Sequence, residues 1–413
     1  MIAAPELLEP QAQPAEITCT IVRDEAGLDT VAAEWGDLLR RAAAARPQVY
    51  HTPAFLRYVL RNRPEAQPYV VLMWHGGELL GLAPFLFEAT RFRVRFSVRT
   101  LARPSGRRLR MVAAGPLFAP GAPAGQMAAI LLQLLFRQQT DFDFAYLEWL
   151  FLDDPLLFEL EQNNRINLFV PPAQRQLCRQ VILEGDYEQY TARWPKKIRQ
   201  NYRRHRKKLE EHCEGDVQIR TYTSPADLVE FAEHLDTIFN RTWQAHTYGR
   251  RKRNTQGEID SLAAIAEQGW LRSYVLMCKG APVAFQHGFE FMGVYQGEET
   301  GYDRDWARFG AGSVLLDSVV RDLFSTGRVH VLDWGFGDSE YKREFGNAER
   351  PACQAYFALN PKWKSILRGQ AAADRVYRFG HRIVSKAGIA KAIRARLKNK
   401  KAVPATQPAA NGE

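Results

Sequence analysis

The 413-residue sequence is poor in cysteine and shows no pairing pattern among the five it has. Cys19, Cys178, Cys213, Cys278 and Cys353 are far apart, odd in number and free of CxxC spacing. That excludes a disulfide framework and a paired-cysteine zinc site, and reduced thiols in a cytoplasm are expected. Long apolar runs are missing as well: the longest clusters, such as AAILLQLLF, are too short to span a bilayer. The opening stretch MIAAPELLEPQAQPAEI holds Glu6 and Glu9 and no apolar core, so it does not read as a signal peptide. There is no HExxH, no GxSxG and no Walker glycine–lysine loop, which argues against a metalloprotease, a serine hydrolase and a P-loop NTPase. No metal is expected, and the expected location is cytoplasmic, peripheral at most at the inner membrane face.

What is present suits a folded chain of two or three domains, with 46% hydrophobic and 11% aromatic residues. Lys and Arg number 56 against 46 Asp and Glu, a net charge of +10. Such an excess favours an anionic partner without choosing among nucleic acid, a membrane and a phosphorylated substrate.

Periodicity organises the chain between two loose ends, residues 1–16 and the Pro/Ala/Gln-rich tail. In the second half DVQIRTY alternates as a strand. SPADLVEFAEHLDTIFNRTW follows as a helix, with Ser224 as N-cap and Pro225 in its first turn. A shorter helix ends at Gly269, and three strands then turn at Lys279-Gly280 and Met292-Gly293. A helix from about Gly312 to Thr326, the strand VHVLDWGF, the short helix SEYKREFG and the strand CQAYFAL complete the order β-α-α-β-β-β-α-β-α-β. The crossover helix predicts that the strands it joins lie parallel.

The first half repeats this outline more weakly. ITCTIV reads as a strand, 27–45 and 53–61 as helices, and YVVLMWHGGELLGLAPFLFEA as a hairpin turning at Gly76-Gly77. GQMAAILLQLLFRQQTDFDFAYLEWLFLDDP matches the shape of GAGSVLLDSVVRDLFSTGRVHVLDWGFGDSE. Chance likeness of helix–strand units is the alternative; the matching upstream hairpins favour duplication. Only the second copy carries the Gly-Ala-Gly and Tyr-Lys.

The stretch RFGAGSVLLDSVV is open to two readings: a tight turn before an ordinary helix, or a turn whose free first-turn N–H groups cradle a phosphate. With KKIRQNYRRHRKKLEE, GYDRDWARFGAGSVLLDSVV and LDWGFGDSEYKREFG in this order, the chain resembles GNAT-like acyltransferases of the CelD/BcsL group, associated with cellulose and other exopolysaccharide synthesis. These are relatives of the FemAB peptidoglycan aminoacyltransferases. The likeness covers about residues 17–360 and is strongest from Trp194 to Gly346. It implies an α/β (α+β) fold of tandem GNAT-like domains, each a mixed, mostly antiparallel sheet flanked by helices. It also implies that Gly310, Ala311, Gly312 and Ser313 form a pyrophosphate-binding turn for coenzyme A, with acetyl-CoA as donor. The usual Gln or Arg three positions before the first glycine is Ala307 here. The domains expected are 17–185, degenerate, and 186–365, carrying the active site, followed by a basic amphipathic helix and loose tail over 366–413.

Acyl transfer needs an oriented carbonyl, a stabilised oxyanion and a proton acceptor. Lys342 resembles the lysine of the FemAB Phe/Tyr-Lys pair, placed there to polarise the reacting carbonyl; its bland alternative is a surface lysine. Tyr341 either donates a proton to a leaving thiolate or packs its ring in the core. Asp333, on a strand expected to be buried, is either a base of raised pKa or a hydrogen-bonded structural group. Glu298 and Glu299 lie on the strand before the glycine turn, and alternation lets one of them face the cleft. Asp333 and Glu299 are the two expected bases. His287, Tyr302 and Asp303 are candidate substrate-binding residues, His287 with a core role as its alternative.

Lys196, Arg199, Arg203 and Arg206 recur at three- and four-residue spacing on a helix whose packing stripe is Ile198, Tyr202 and Leu209. They suit a phosphate-bearing, saccharide-linked acceptor, or a nucleic-acid backbone, or simply a solvated face. From Arg375 to Lys401 there is no acidic residue, a pattern that suits either an anionic membrane surface or a soluble tail. The leading expectation is an acyltransferase moving acetyl from acetyl-CoA to an amine or hydroxyl of a saccharide or its activated precursor. The alternatives are FemAB-type transfer from aminoacyl-tRNA and a non-catalytic nucleic-acid- or membrane-binding protein. Missing stacking motifs argue against nucleic acid outside the tRNA case.

Overall fold

The computed structural model describes residues 17–45, 47–97, 99–242, 245 and 256–386. The stretches expected to be loose, 1–16 and the tail beyond 386, lie outside the described residues, as does most of the basic tail segment.

Hairpins built on two-residue turns give the sheet its local pieces. Lys279-Gly280 and Met292-Gly293 both hold positive φ at the two turn positions (49° and 71°; 46° and 77°), and Gly76-Gly77 does the same (58° and 83°). That backbone matches the right-handed twist of the strands it joins. Twelve strands form one continuous path. In chain order they are β1 (Thr18–Val22), β2 (Gln67–His75), β3 (Glu78–Arg91), β4 (Ser105–Met111), β5 (Phe144–Phe151) and β6 (Arg175–Ile182). The second six are β7 (Val217–Tyr222), β8 (Ser273–Cys278), β9 (Ala281–Phe291), β10 (Val294–Tyr302), β11 (Val331–Asp333) and β12 (Ala348–Ala358).

In space the order is β1-β2-β3-β4-β5-β12-β6-β11-β10-β9-β8-β7. Read from either end it has the same pattern of directions: three antiparallel pairs, one parallel pair, one antiparallel pair, then the centre. The expected parallel pair β10/β11 is present, and β4/β5 is its counterpart. The last strand of each repeat is exchanged. β6 pairs with β11, and β12 pairs with β5, so the two exchanged strands meet each other in the middle of the sheet. A cut of the sequence at 185/186 therefore leaves each segment with a strand in the other's half.

Helix α1 (Ala124–Arg137) crosses from β4 to β5, and helix α3 (Ala311–Thr326) crosses from β10 to β11. Val314, Leu315, Val319, Val320 and Leu323 of α3 join Tyr274, Tyr295 and Leu332 of the sheet in one buried cluster. Helix α2 (Lys196–His212) covers α3 with Tyr202 and Leu209, as its packing stripe predicts. The helix after β12, α5 (Pro361–Lys386), lies on the first half: Trp363 stacks on Phe144 at 4.3 Å between ring centres. No helix among the described residues is long and apolar enough to cross a membrane.

Candidate active site

The parallel pairing of β10 and β11 runs from Val294↔Val331 to Gln296↔Asp333 and stops. Beyond it the chain after β11 swings away through Gly335 and Gly337, both at positive φ (69° and 104°). A cavity of about 380 Å³ opens where the strands part. Gly297–Thr300 form one wall, Trp334–Phe336 with Tyr341 and Lys342 another, and Tyr50, Arg110, Glu148 and Trp149 of the first repeat close the third. The cavity thus takes side chains from both halves.

Both Glu298 and Glu299 line it, against the alternation rule. The reason is a β-bulge. His287 pairs with Glu299 and Gly288 with Gly297, so Glu298 is an extra residue with nothing opposite. Gly288 makes the bulge fit: a Cβ there would sit 2.5 Å from the Gln296 carbonyl oxygen and the Tyr295 hydroxyl. Glu298 is the carboxylate with the distinctive environment. It meets the water of the cavity but is walled in by protein, and it accepts a hydrogen bond from the Tyr50 hydroxyl. Burial first, then the like charges of Glu148, Glu299 and Asp333, push its pKa up to about 7 despite the Tyr50 bond. The Tyr50 hydroxyl is itself driven well upward, by burial and then by Glu298.

Helix α4 (Glu340–Phe345) brings Lys342 to the cavity. Its ammonium is buried and donates to the carbonyls of Gly335 at 3.3 Å and Phe336 at 3.2 Å. Burial lowers its pKa, and Asp333 opposes that shift. Tyr341 sets its ring edge-on to Trp334, 5.4 Å between centres, and burial raises its hydroxyl to about 12. Asp333 is buried beneath the cavity and is not among its lining residues. It accepts from Gln180 Nε2 at 2.8 Å and from the Gly335 amide at 2.7 Å. Burial raises its pKa, but its geometry is that of the structural alternative: it ties exchanged strand β6 to the turn that carries Lys342.

Other expected residues stand elsewhere. His287 is in the core, its ring at 2.9 Å from Ser273 Oγ and packed on Phe231 and Phe289. Strand alternation turns it away from the cavity that its neighbour Gln286 lines. Asp303 caps the short turn Arg304–Phe309 and accepts from Arg241 at 3.2 Å. Tyr302 covers the glycine turn: a Cβ on Gly312 would meet its ring at 2.8 Å, and one on Gly310 would meet the His205 ring at 2.5 Å. Gly310 also holds a left-handed φ of 71° as the N-cap of α3. The visible work of Gly310 and Gly312 is close packing, and Gly310–Ser313 are not part of the cavity wall. Arg206 is committed to Asp317 and Ser318 of α3. Lys196, Arg199 and Arg203 lie on α2 and are not among the residues lining the cavity.

Sequence reasoning missed Tyr50, Arg110 and Glu148. Leu147-Glu148-Trp149 was legible as the copy of Leu332-Asp333-Trp334, but nothing local announces that both copies serve one cavity. Among the described residues no group of His, Cys, Asp and Glu is placed to hold a metal ion.

No curated protein sequence matches the chain. Among solved structures, the C-terminal domain (DUF2156) of a putative lysylphosphatidylglycerol synthetase from Agrobacterium fabrum matches with a TM-score of 0.51 at 12% identity. It covers 83% of this chain and 96% of its own. The crystal structure of FemX matches with a TM-score of 0.57 at 9% identity, over 81% of this chain and 98% of its own. Residues 196–343 match the family model described as an acetyltransferase (GNAT) domain, a span that holds Glu298, Glu299, Trp334 and Lys342. The chain has a GNAT-like acyltransferase fold, and residues 196–343 in its second half are similar to the acetyltransferase (GNAT) domain family.

Proposed function

We propose that this protein transfers an acyl group, acetyl from acetyl-CoA, to an amine or hydroxyl of a saccharide or a lipid- or nucleotide-linked saccharide precursor of the cell envelope or an exopolysaccharide. The observation that carries this reading is Glu298, bulged into the cavity where two parallel strands part, inside the span that matches the acetyltransferase model. A carboxyl with a pKa near 7 is suited to accept a proton at neutral pH.

The donor thioester carbonyl lies in the cavity and the acceptor enters from the side of Tyr50 and Glu148. As the acceptor nitrogen or oxygen bonds to the carbonyl carbon, Glu298 takes its proton. The carbonyl oxygen gains negative charge and is met by Lys342, whose ammonium has three hydrogens and spends two on backbone carbonyls. Collapse of the adduct breaks the C–S bond, and the thiolate leaves to be protonated by solvent or by Tyr341.

The test is calorimetric titration of the full chain with acetyl-CoA, alongside transfer of labelled acetyl to a panel of amino sugars and sugar phosphates. Micromolar binding, with Glu298→Gln retaining affinity and losing transfer, is the expected result. Absence of binding by acetyl-CoA and other coenzyme A thioesters overturns the donor assignment, and label arriving from aminoacyl-tRNA instead replaces it.

A further inference from the structure

A second cavity, also about 380 Å³, adjoins the first on the same side of the sheet. Gln354 of β12, which stands opposite the two-residue bulge Glu148-Trp149 of β5, lines both. Arg108 and Arg110 lie two apart on β4, so they project to one face, Arg108 into the second cavity and Arg110 into the first. The two spaces share a floor of β4, β5 and β12.

The second cavity is built from guanidinium groups over aromatic rings. Arg91, Arg93, Arg95 and Arg108 line it, and Asp374 is the one carboxylate among its lining residues. Asp374 takes a hydrogen bond from Gln370 at 2.8 Å. Arg108 is held by the buried Glu88 (Nε at 3.0 Å), which Arg63 and Arg110 also approach at 3.3 and 3.9 Å. Arg91, Arg93 and Arg95 have no carboxylate partner among the described residues. Three arginines without an ion-pair partner, set against the one carboxylate of Asp374, leave the hollow with a net positive potential. Beneath them Tyr356 is stacked on Tyr146 at 4.6 Å with an angle of 21°, next to Phe92 and Phe169.

We infer that this cavity holds a phosphate or diphosphate group of the acceptor, with the arginines on its oxygens and the aromatic floor under an adjoining sugar or base ring. The assignment rests on the acyl-acceptor reading given above for the first cavity. Arginine suits the task because its planar fork bonds two phosphate oxygens at once. The acceptor then spans Gln354, its anionic part among the arginines and its amine or hydroxyl beside Glu298. This moves anion recognition from α2, where the run of basic residues suggests it, to the other half of the molecule.

Inorganic pyrophosphate and a nucleoside diphosphate sugar are the probes, titrated calorimetrically into the full chain at fixed low salt. The double variant Arg93→Ala/Arg95→Ala removes two exposed side chains, and an unchanged melting temperature verifies its fold. Pyrophosphate affinity falls at least tenfold in this variant and is unchanged in the α2 control Lys196→Ala/Arg203→Ala, while acetyl-CoA affinity stays the same in both. Equal pyrophosphate binding by wild type and the double variant, no binding at all, or loss only in the α2 control overturns the site. Binding to phosphatidylglycerol vesicles without binding of either soluble probe overturns it too, in favour of a membrane-docking surface. Pyrophosphate binding through Arg93 and Arg95 in a protein that ignores acetyl-CoA and other coenzyme A thioesters leaves the anion site standing and removes only the coenzyme A donor assignment.

Discussion

A carboxyl whose pKa lies at about 7 changes charge across the pH range in which a general base is useful. If Glu298 accepts the proton, kcat/KM rises about tenfold per pH unit below that pKa and levels above it, because only the carboxylate form works. Glu298→Gln flattens the limb and lowers kcat by about 10²- to 10⁴-fold. Tyr50→Phe makes a sharper test. The Tyr50 hydrogen bond favours the carboxylate, so its loss raises the Glu298 pKa and moves the limb to higher pH. A limb that stays in place in Tyr50→Phe assigns the titration to another group. Stability has its own sign. The folded pKa exceeds the usual 4.5, so the contribution of Glu298 to stability is full below about 4.5 and is lost as pH rises through about 7. Thermal melts of wild type and Glu298→Gln therefore diverge between about pH 4.5 and 7, the variant losing less, and keep a constant separation above that. Glu298 itself shows how far a sequence can be read at this scale. Its neighbourhood is legible as the strand before the glycine turn, but alternation admits only one of Glu298 and Glu299 to the cleft without saying which, and Glu299 is the expected base. The bulge that sets Glu298 apart depends on contacts of Gly288 with Tyr295 and Gln296, which periodicity does not reveal.

Helices and hairpins were the most legible elements, because each is specified by residues close in sequence: glycine at positive φ in the turns, an apolar stripe on α3, Ser224 and Pro225 at a helix start. The Gly-Ala-Gly turn was legible as a turn, and its role was open between packing and phosphate binding. Substitution separates the two. In Gly312→Ala the new Cβ comes within 2.8 Å of the Tyr302 ring, and the ring or the helix must shift, at a cost of about 1–3 kcal/mol. Gly310→Ala adds a left-handed backbone to a 2.5 Å approach to His205, so its loss is the larger of the two. Urea midpoints give both numbers. The packing role predicts lowered midpoints with acetyl-CoA affinity unchanged in whatever folded fraction remains. An unchanged midpoint with lost affinity assigns the turn to the ligand instead.

At the scale of the whole molecule, the feature hardest to read from sequence is the exchange of β6 and β12. Consecutive strands usually lie beside one another, and that rule places Arg175–Ile182 in the first half and Ala348–Ala358 in the second. The sheet does the opposite, since two repeats with matching edges can pair across as well as within. Each half then depends on the other for a central strand. Without β6, strands β11 and β12 lose their shared neighbour and present unpaired N–H and C=O groups. The first half, without β12, loses the partner of β5 and the helix that seats Trp363 on Phe144. Calorimetry of the full chain is therefore expected to show one unfolding transition, with its van't Hoff and calorimetric enthalpies equal. Fragments 1–185 and 186–413 are expected to aggregate when expressed singly and to co-purify as a folded pair when expressed together. Two resolved transitions, or a soluble and well-folded fragment 186–413, would mean that the halves fold alone and only then trade strands. The cavity would in that case belong to the second half, with Tyr50, Arg110 and Glu148 as a removable wall rather than part of its foundation.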